Sequence, residues 1–264
     1  MDNSVLLPIV FVFGAIIGSF LNVVIFRLNT GVGVDGRSKC MSCDKTLTWK
    51  ELVPILSWLV LGGRCKNCKS RISAQYPLVE LGTAILFGLV AWKFPFVSFE
   101  AGAMTLLYLV VVSLLMVITA YDARHKIIPD SLVYIFDAIA LASVFMGGSQ
   151  LFHSPHMWTL LAGPILALPF ALLWVISKGQ WIGLGDAKLA LGIGWLLGLN
   201  AGVNAIVLAF WIGAVAGVIW VLVSYGKWKK KVEIPFGPYL ILGTYIVLFF
   251  GLTVIDLRVF QGIM

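Results

Sequence analysis

Charge is scarce in this sequence. Only 12% of its 264 residues are Asp, Glu, Lys or Arg, while 60% are hydrophobic. A soluble domain carries about a quarter charged and about half apolar residues. The shortfall excludes an ordinary water-soluble core, because the surplus apolar residues fall in long runs without helical or strand periodicity. Cysteine is missing except from one short stretch: all four lie between Cys40 and Cys68, so no disulfide ties the remaining loops. A separate secretory leader is missing too. The first apolar run, Val5 to Phe26, has no Lys or Arg before it and no clear small-residue cleavage site, and reads as a spanning helix. No internal repeat or low-complexity linker is evident.

What remains is a series of apolar segments near 5–26, 75–92, 101–121, 131–147, 158–177, 184–199, 203–225 and 237–255. Each is about long enough to cross a hydrocarbon core. The segment at 184–199 is short and rich in glycine, which suits a helix packed inside a bundle better than one against lipid. The fold class expected is therefore an all-α polytopic membrane protein of about eight transmembrane helices.

The few basic residues are sharply segregated. Nine lie in 27–73, and Arg124, Lys126, Lys178, Lys188, Lys227, Lys229, Lys230 and Lys231 occupy later loops on the same side of an eight-span arrangement. The opposite side holds only Lys93 and Arg258. A wrong span count would have scattered these charges. The positive-inside rule places the rich side in the cytoplasm and both termini outside it. The net charge of +7 is thus a topology signal, with Lys227–Lys231 as an anchor for anionic lipid, and no nucleic-acid partner is expected.

Three parts follow: a first transmembrane helix over 1–26, a cytoplasmic insert over 27–73, and a seven-helix transmembrane bundle over 74–264. Within the insert, Cys40-x-x-Cys43 and Cys65-x-x-Cys68 are two knuckles able to bring four thiolates to one zinc ion. Two disulfides are the rival reading, disfavoured in a reducing compartment. A redox role is disfavoured because nothing nearby resembles a thioredoxin unit. Four protein ligands leave no open position, so the zinc is expected to be structural and to supply folding energy to the insert. Gly31-Val-Gly33-Val-Asp-Gly36 matches a dinucleotide fingerprint in letters only, since no strand-to-helix turn or βαβ unit surrounds it.

Ionisable groups at the edges of spans are costly and need a reason. Asp122 closes the third span, and Asp186 opens the sixth within Gly183-Leu-Gly185-Asp186-Ala-Lys188. The topology puts both at the cytoplasmic edge. A close pair of carboxylates shares one proton and can activate water against a peptide carbonyl. Gly183 and Gly185 would let backbone approach the pair. Taken singly, Asp186 could be a helix cap and Asp122 a loop residue facing water. Lys188 could offset charge near Asp186, and Asp130 after Pro129 reads as the N-cap of the fourth span. Glu80 could pair with Arg27 or Arg71 or line the site. Asp137 is expected to face the bundle in a structural or substrate-binding role. His125 and the pair His153 and His156 read as loop residues.

Taken together these stretches resemble the type 4 prepilin peptidases, the prepilin leader peptidase/N-methyltransferase family of GxGD intramembrane aspartyl proteases. The resemblance runs nearly the full length. It is carried by Gly18 to Leu28, the four-cysteine insert with Leu52 to Trp58, Arg71 to Leu81, Asp122 to Asp130, Gly183 to Lys188, and Ile234-Pro-Phe-Gly-Pro238. It implies catalytic aspartates at Asp122 and Asp186. It also implies cleavage of a basic leader after Gly from type IV prepilins or pseudopilins, and N-methylation of the new terminus with S-adenosylmethionine as donor. The location implied is the bacterial inner membrane. Departures are Met41 where the first knuckle usually has Pro, Asp44 and Lys69 where Gly is common, and Asn29 for a usual Pro. Two rival functions remain at this level. A proton-coupled transporter would use intramembrane charges too, but its site usually lies at the midplane between repeats. A tethered zinc interaction module would leave the paired aspartates unexplained.

Overall fold

In the computed structural model, residues 3–146, 157–223 and 234–256 are described, and among them the regular structure is helical, with no strand beyond two isolated bridges. The helices are α1 (Asn3–Arg27), α2 (Leu56–Val60), α3 (Gln75–Lys93), α4 (Phe99–His125), α5 (Asp130–Val144), α6 (Met157–Ser177), α7 (Leu184–Val223) and α8 (Gly237–Phe250). Five of them (α1, α3, α4, α6 and α7) are long and apolar enough to cross a membrane. At 40 residues α7 is too long for one crossing. It is broken at Gly198, where φ 76° and ψ 174° leave the helical region, so it holds two of the expected spans. With α5 and α8 the expected set of about eight is present, and the chain is a multi-pass membrane protein. Large apolar side chains such as Phe13, Phe20, Leu172 and Trp220 point outward, an arrangement that only lipid can solvate over so many residues.

The chain forms two compact units, divided between Ala120 and Tyr121. In the first, α1 packs along α3 at glycine distance. A Cβ added to Gly14 would lie 2.8 Å from the Ala84 Cα, and one on Gly18 would lie 2.7 Å from the Glu80 Cα. Small residues allow this because lipid gives no hydrophobic drive for helix pairing and close van der Waals contact must supply it. The ends are joined where Asn22 donates to the Tyr76 carbonyl at 3.1 Å and Phe26 stacks on Tyr76 at 4.9 Å.

In the second unit α7 is the central element, packed by α5, α6 and α8. Gly194 meets Gly163 of α6 so closely that a Cβ would lie 2.6 Å from the Gly163 Cα. The expected last span, 237–255, stops early: α8 ends at Phe250 with Gly251 in the left-handed conformation at φ 63°. The following backbone then turns to Asn204 of α7, whose side chain accepts from the Val254 and Ile255 amides and donates to the Ile255 carbonyl. A buried amide thus satisfies backbone polar groups of the segment that follows the helix.

Candidate active site and metal centre

Asp122 lies in the last turn of α4, in the portion that belongs to the second unit, and is only 3% exposed. Burial excludes the water-facing loop reading. Its carboxylate faces the backbone N–H of Gly237, the first residue of α8. A Cβ at Gly237 would fall 2.6 Å from the Asp122 Oδ2, so the close approach requires glycine. Asp186 lies in the first turn of α7 and is 7% exposed. Its Oδ2 accepts from the Gly183 N–H at 3.2 Å, while its Oδ1 is buried without a hydrogen-bond partner. The capping reading is therefore half realised: one oxygen closes the start of α7 and the other is left over.

The two carboxylates lie within electrostatic reach of each other. Each meets a helix N-terminus, Asp122 that of α8 and Asp186 that of its own α7, where the partial positive charge favours an anion. Ile128, in the link from α4 to α5, is wedged between those two helix starts. A Cβ on Gly185 would come within 2.8 Å of the Ile128 Cβ, and one on Gly237 within 3.2 Å of its Cδ1. Gly185 thus serves close approach to Ile128 and not, as expected, to the carboxylates themselves, while Gly183 contributes its amide to Asp186. Gly237 and Ile128 were not singled out for the site from sequence. Their only trace there is the Pro-Phe-Gly-Pro run and the Ile-Ile-Pro link.

Several supporting residues sit differently from expectation. Lys188 does not face Asp186. Its ammonium pairs with Asp130 Oδ1 at 2.8 Å and lies over the Tyr134 ring at 4.8 Å. The reason is helical phase: two residues beyond Asp186, Lys188 projects from another face of α7. Asp130 is not the N-cap of α5. Pro129 holds that position, and Asp130 in the first turn has its side chain 63% exposed. Asp137 does face the bundle: it is buried on α5, with Oδ1 in the notch at Gly192 of α7 and without a hydrogen-bond partner. Glu80 belongs to the first unit, where its Oε2 accepts from the Ile55 N–H at 2.7 Å and Ser19 donates to it. Neither expected arginine is its partner in that geometry. Arg27 donates instead to the carbonyls of Gly33 and Asp35, at 2.8 and 2.6 Å, which makes the glycine-rich stretch an irregular loop. His125 stacks on Tyr121 at 4.4 Å. His153, His156 and Lys227–Lys231 lie outside the described residues.

The four cysteines converge: their Sγ atoms all lie within 4.8 Å of one another, and Cys40 and Cys68 are 3.8 Å apart. Zinc–thiolate bonds of about 2.3 Å in a tetrahedron require sulfurs roughly 3.8 Å apart, so the donor set fits zinc. The two knuckles are copies at a constant offset, a repeat invisible to a search at span length. Cys40 N–H bonds to the Lys45 carbonyl and Cys65 N–H to that of Ser70, at 3.0 and 2.9 Å, and bridges join Lys39 to Thr46 and Arg64 to Arg71. Asp44 and Lys69 occupy matching turns at φ 52° and 60°, the left-handed region that glycine fills without cost. Asn29, at φ 59°, holds a conformation closed to proline. The Ser42 backbone N–H draws the Cys40 thiol down to about 6, and the Ser70 hydroxyl draws Cys68 down as well. Both shifts favour the thiolate that a metal needs.

Residues 12–94 match the model of the bacterial peptidase A24 N-terminal domain, and residues 109–222 that of the type IV leader peptidase family. The cysteine cluster falls in the first match, and Asp122 and Asp186 fall in the second. A prepilin leader peptidase/N-methyltransferase of Stutzerimonas stutzeri is 34% identical, covering 91% of this chain and 89% of the relative. The protein of that name from Bacillus subtilis is 33% identical over 95% of this chain and 97% of its own length. That from Pseudomonas aeruginosa is 31% identical over 90% and 88%. No solved structure matches.

Proposed function

This chain belongs to the type IV leader peptidase family, and on that premise we propose that it is an aspartyl endopeptidase whose catalytic pair is Asp122 and Asp186. The observation that carries the assignment is the two buried carboxylates brought together, each at a helix start where glycine admits it. Like charges within electrostatic reach of each other resist double ionisation, and the helix N-termini favour one anion, so on this proposal the pair holds a single proton between them. The ionised member takes a proton from water as the water oxygen attacks the scissile carbonyl carbon. The protonated member gives its proton to the carbonyl oxygen. When the tetrahedral adduct collapses, the C–N bond breaks, the nitrogen leaves with the proton taken from water, and one adduct hydroxyl returns its proton to the aspartate that had given one, restoring the singly protonated pair. The unpartnered Oδ1 of Asp186 is the free acceptor such a step requires.

The substrates are prepilins or pseudopilins, as the relatives' names state for those proteins. Cleavage falls after Gly, on the cytoplasmic side of the bacterial inner membrane, where basic residues concentrate, and both chain termini lie on the other side. The new terminal amine is then methylated, with S-adenosylmethionine as second substrate, in keeping with the double name of the relatives. Residues 27–73 act as a structural zinc module, in which Cys40, Cys43, Cys65 and Cys68 would hold the ion and its charge would bind the two knuckles into one fold. The segments 1–26 and 74–264 supply the transmembrane helices, the latter carrying the pair. Lys188, Asp130 and Glu80 support from a distance, fixing α5 to α7 and the insert to α3.

Asp122→Asn and Asp186→Asn should each abolish leader cleavage by detergent-purified protein with a pilin-like precursor, read by mass spectrometry of the product. Protein yield and membrane insertion should stay unchanged. Near-normal turnover by either variant would remove the pair from the mechanism.

A further inference from the structure

The short helix α2 lies within the zinc insert yet is fixed to a transmembrane helix. Its N-cap residue, Ile55, donates its N–H to Glu80 at 2.7 Å. Glu80 is not at the mouth of α3: it lies five residues in from Gln75, roughly 8 Å along the axis. Opposite it on α1 stand Gly18 and Ser19, well before that helix ends at Arg27. The start of α2 is therefore level with the spans themselves. From there the chain climbs back. Trp58 donates to the Ile72 carbonyl at 3.3 Å, and Ile72 N–H bonds to the Gly63 carbonyl at 2.8 Å. This brings the far end of α2 to the level where α3 begins.

The outer face of this helix is apolar. Leu56, Leu59 and Val60, spaced to share one face, are 60%, 59% and 85% exposed, while Trp58 is turned inward against Gly63. Trp49, on the neighbouring 3₁₀ turn Trp49–Glu51, is exposed as well, with Lys50 over its ring at 5.5 Å. The rest of the insert is strongly basic, with nine Lys and Arg in 27–73 against Asp35, Asp44 and Glu51.

We infer that α2 is an interfacial anchor, whose Leu56, Leu59 and Val60 enter the acyl boundary of the bilayer while the basic knuckles rest on anionic headgroups. Depth and charge both select lipid as the occupant. The apolar face lies at the height of the outer turns of α3, and cationic side chains beside a Trp suit the headgroup zone. Glu80 acts as a positioning residue: by holding the Ile55 amide it sets how deep the anchor sits. Ile55 adopts φ 62°, a conformation a β-branched residue takes only when its surroundings impose it, and the carboxylate grip is one such constraint. The inference rests on the transmembrane reading of α1 and α3 and not on the peptidase chemistry.

The test uses full-length, zinc-loaded protein in nanodiscs of phosphatidylcholine and phosphatidylglycerol. A nitroxide is attached through Val60→p-acetylphenylalanine, with Lys66→p-acetylphenylalanine as the knuckle control. Collisions with oxygen, which concentrates among acyl chains, are compared with collisions with a nickel chelate, which stays in water. Oxygen should dominate at 60 and nickel at 66. In a Glu80→Ala background that retains zinc, the label at 60 should shift toward nickel. Nickel dominance at 60 in the unaltered background would overturn the anchor. So would exclusion of both reagents from 60, whether label–label broadening marks a second copy or its absence marks another protein surface. An unshifted label at 60 in the Glu80→Ala protein would overturn the positioning role.

Discussion

At the scale of single residues, the site is set by what is missing from a side chain. Gly237 has no Cβ, and any Cβ there would stand 2.6 Å from the Asp122 carboxylate. Gly237→Ala must therefore displace either the carboxylate or the start of α8, and overpacking of this kind costs about 1–3 kcal/mol. Spent on misplacing one partner of the pair, that corresponds to a loss of roughly tenfold or more in cleavage rate. Gly213→Ala, whose Cβ would meet the Tyr239 ring at an ordinary 3.5 Å, should leave the rate within about twofold, well inside the ±0.5 kcal/mol usual for benign substitutions. Equal effects of the two, in initial-rate assays of matched preparations, would deny Gly237 its part. Residue-scale strain also appears in the knuckles. Lys69 holds φ 60° with a side chain that gains nothing from it, whereas an aspartate such as Asp44 tolerates the left-handed region better. Lys69→Gly should raise the stability of the zinc-bound insert by about 1 kcal/mol, seen as slower zinc loss to a chelator. Asp44→Gly should gain less.

At the scale of elements, the insert and the helices divide the work. The knuckles have few buried apolar side chains of their own, Cys65 being one, and on the proposed zinc reading the metal would hold them together. Cys40→Ser or Cys68→Ser should release zinc, measured by plasma mass spectrometry, and loosen residues 27–73 to protease. Leader cleavage should survive in part, because the aspartates are carried by α4 and α7. Metal-free wild-type protein with full protease resistance would contradict this. The Lys188–Asp130 bridge, largely exposed on the aspartate side, is worth at most about 1 kcal/mol, so its service to α5 and α7 is alignment more than strength.

At the scale of the whole molecule, the proposed function makes the bilayer the frame that positions substrate against catalyst. The pilin-type substrate is read as leaving its apolar helix in lipid and presenting the leader junction at the membrane edge. Ala residues inserted between the cleavage Gly and that helix should make cleavage fall steeply once the shift reaches about one helical turn, roughly 5 Å. Undiminished cleavage by purified enzyme in liposomes would show that leader sequence, not depth, selects the bond. On the proposed orientation the basic face would repel a basic leader, and its proposed role is to hold lipid instead of substrate.

The sequence by itself determined what depends on distance along the chain. Apolar run lengths are measured against a bilayer of fixed thickness, and CxxC spacing is local. The helical membrane architecture and the four-sulfur cluster were legible for those reasons, as was the family through its motifs. The break at Gly198 fell where the two expected spans adjoin. Tertiary structure decided what depends on separation in space. Nothing near Asp122 announces that the first residue of α8 will face it, nor does the text around Lys188 name Asp130 over Asp186. That Glu80 reaches Ile55 and no arginine, and that the last helix ends at Gly251 to meet Asn204, follow from helix phase and packing. Such pairings depend on the rotation and height of each helix, which close contacts between small residues determine, and a linear pattern of apolar letters is blind to both.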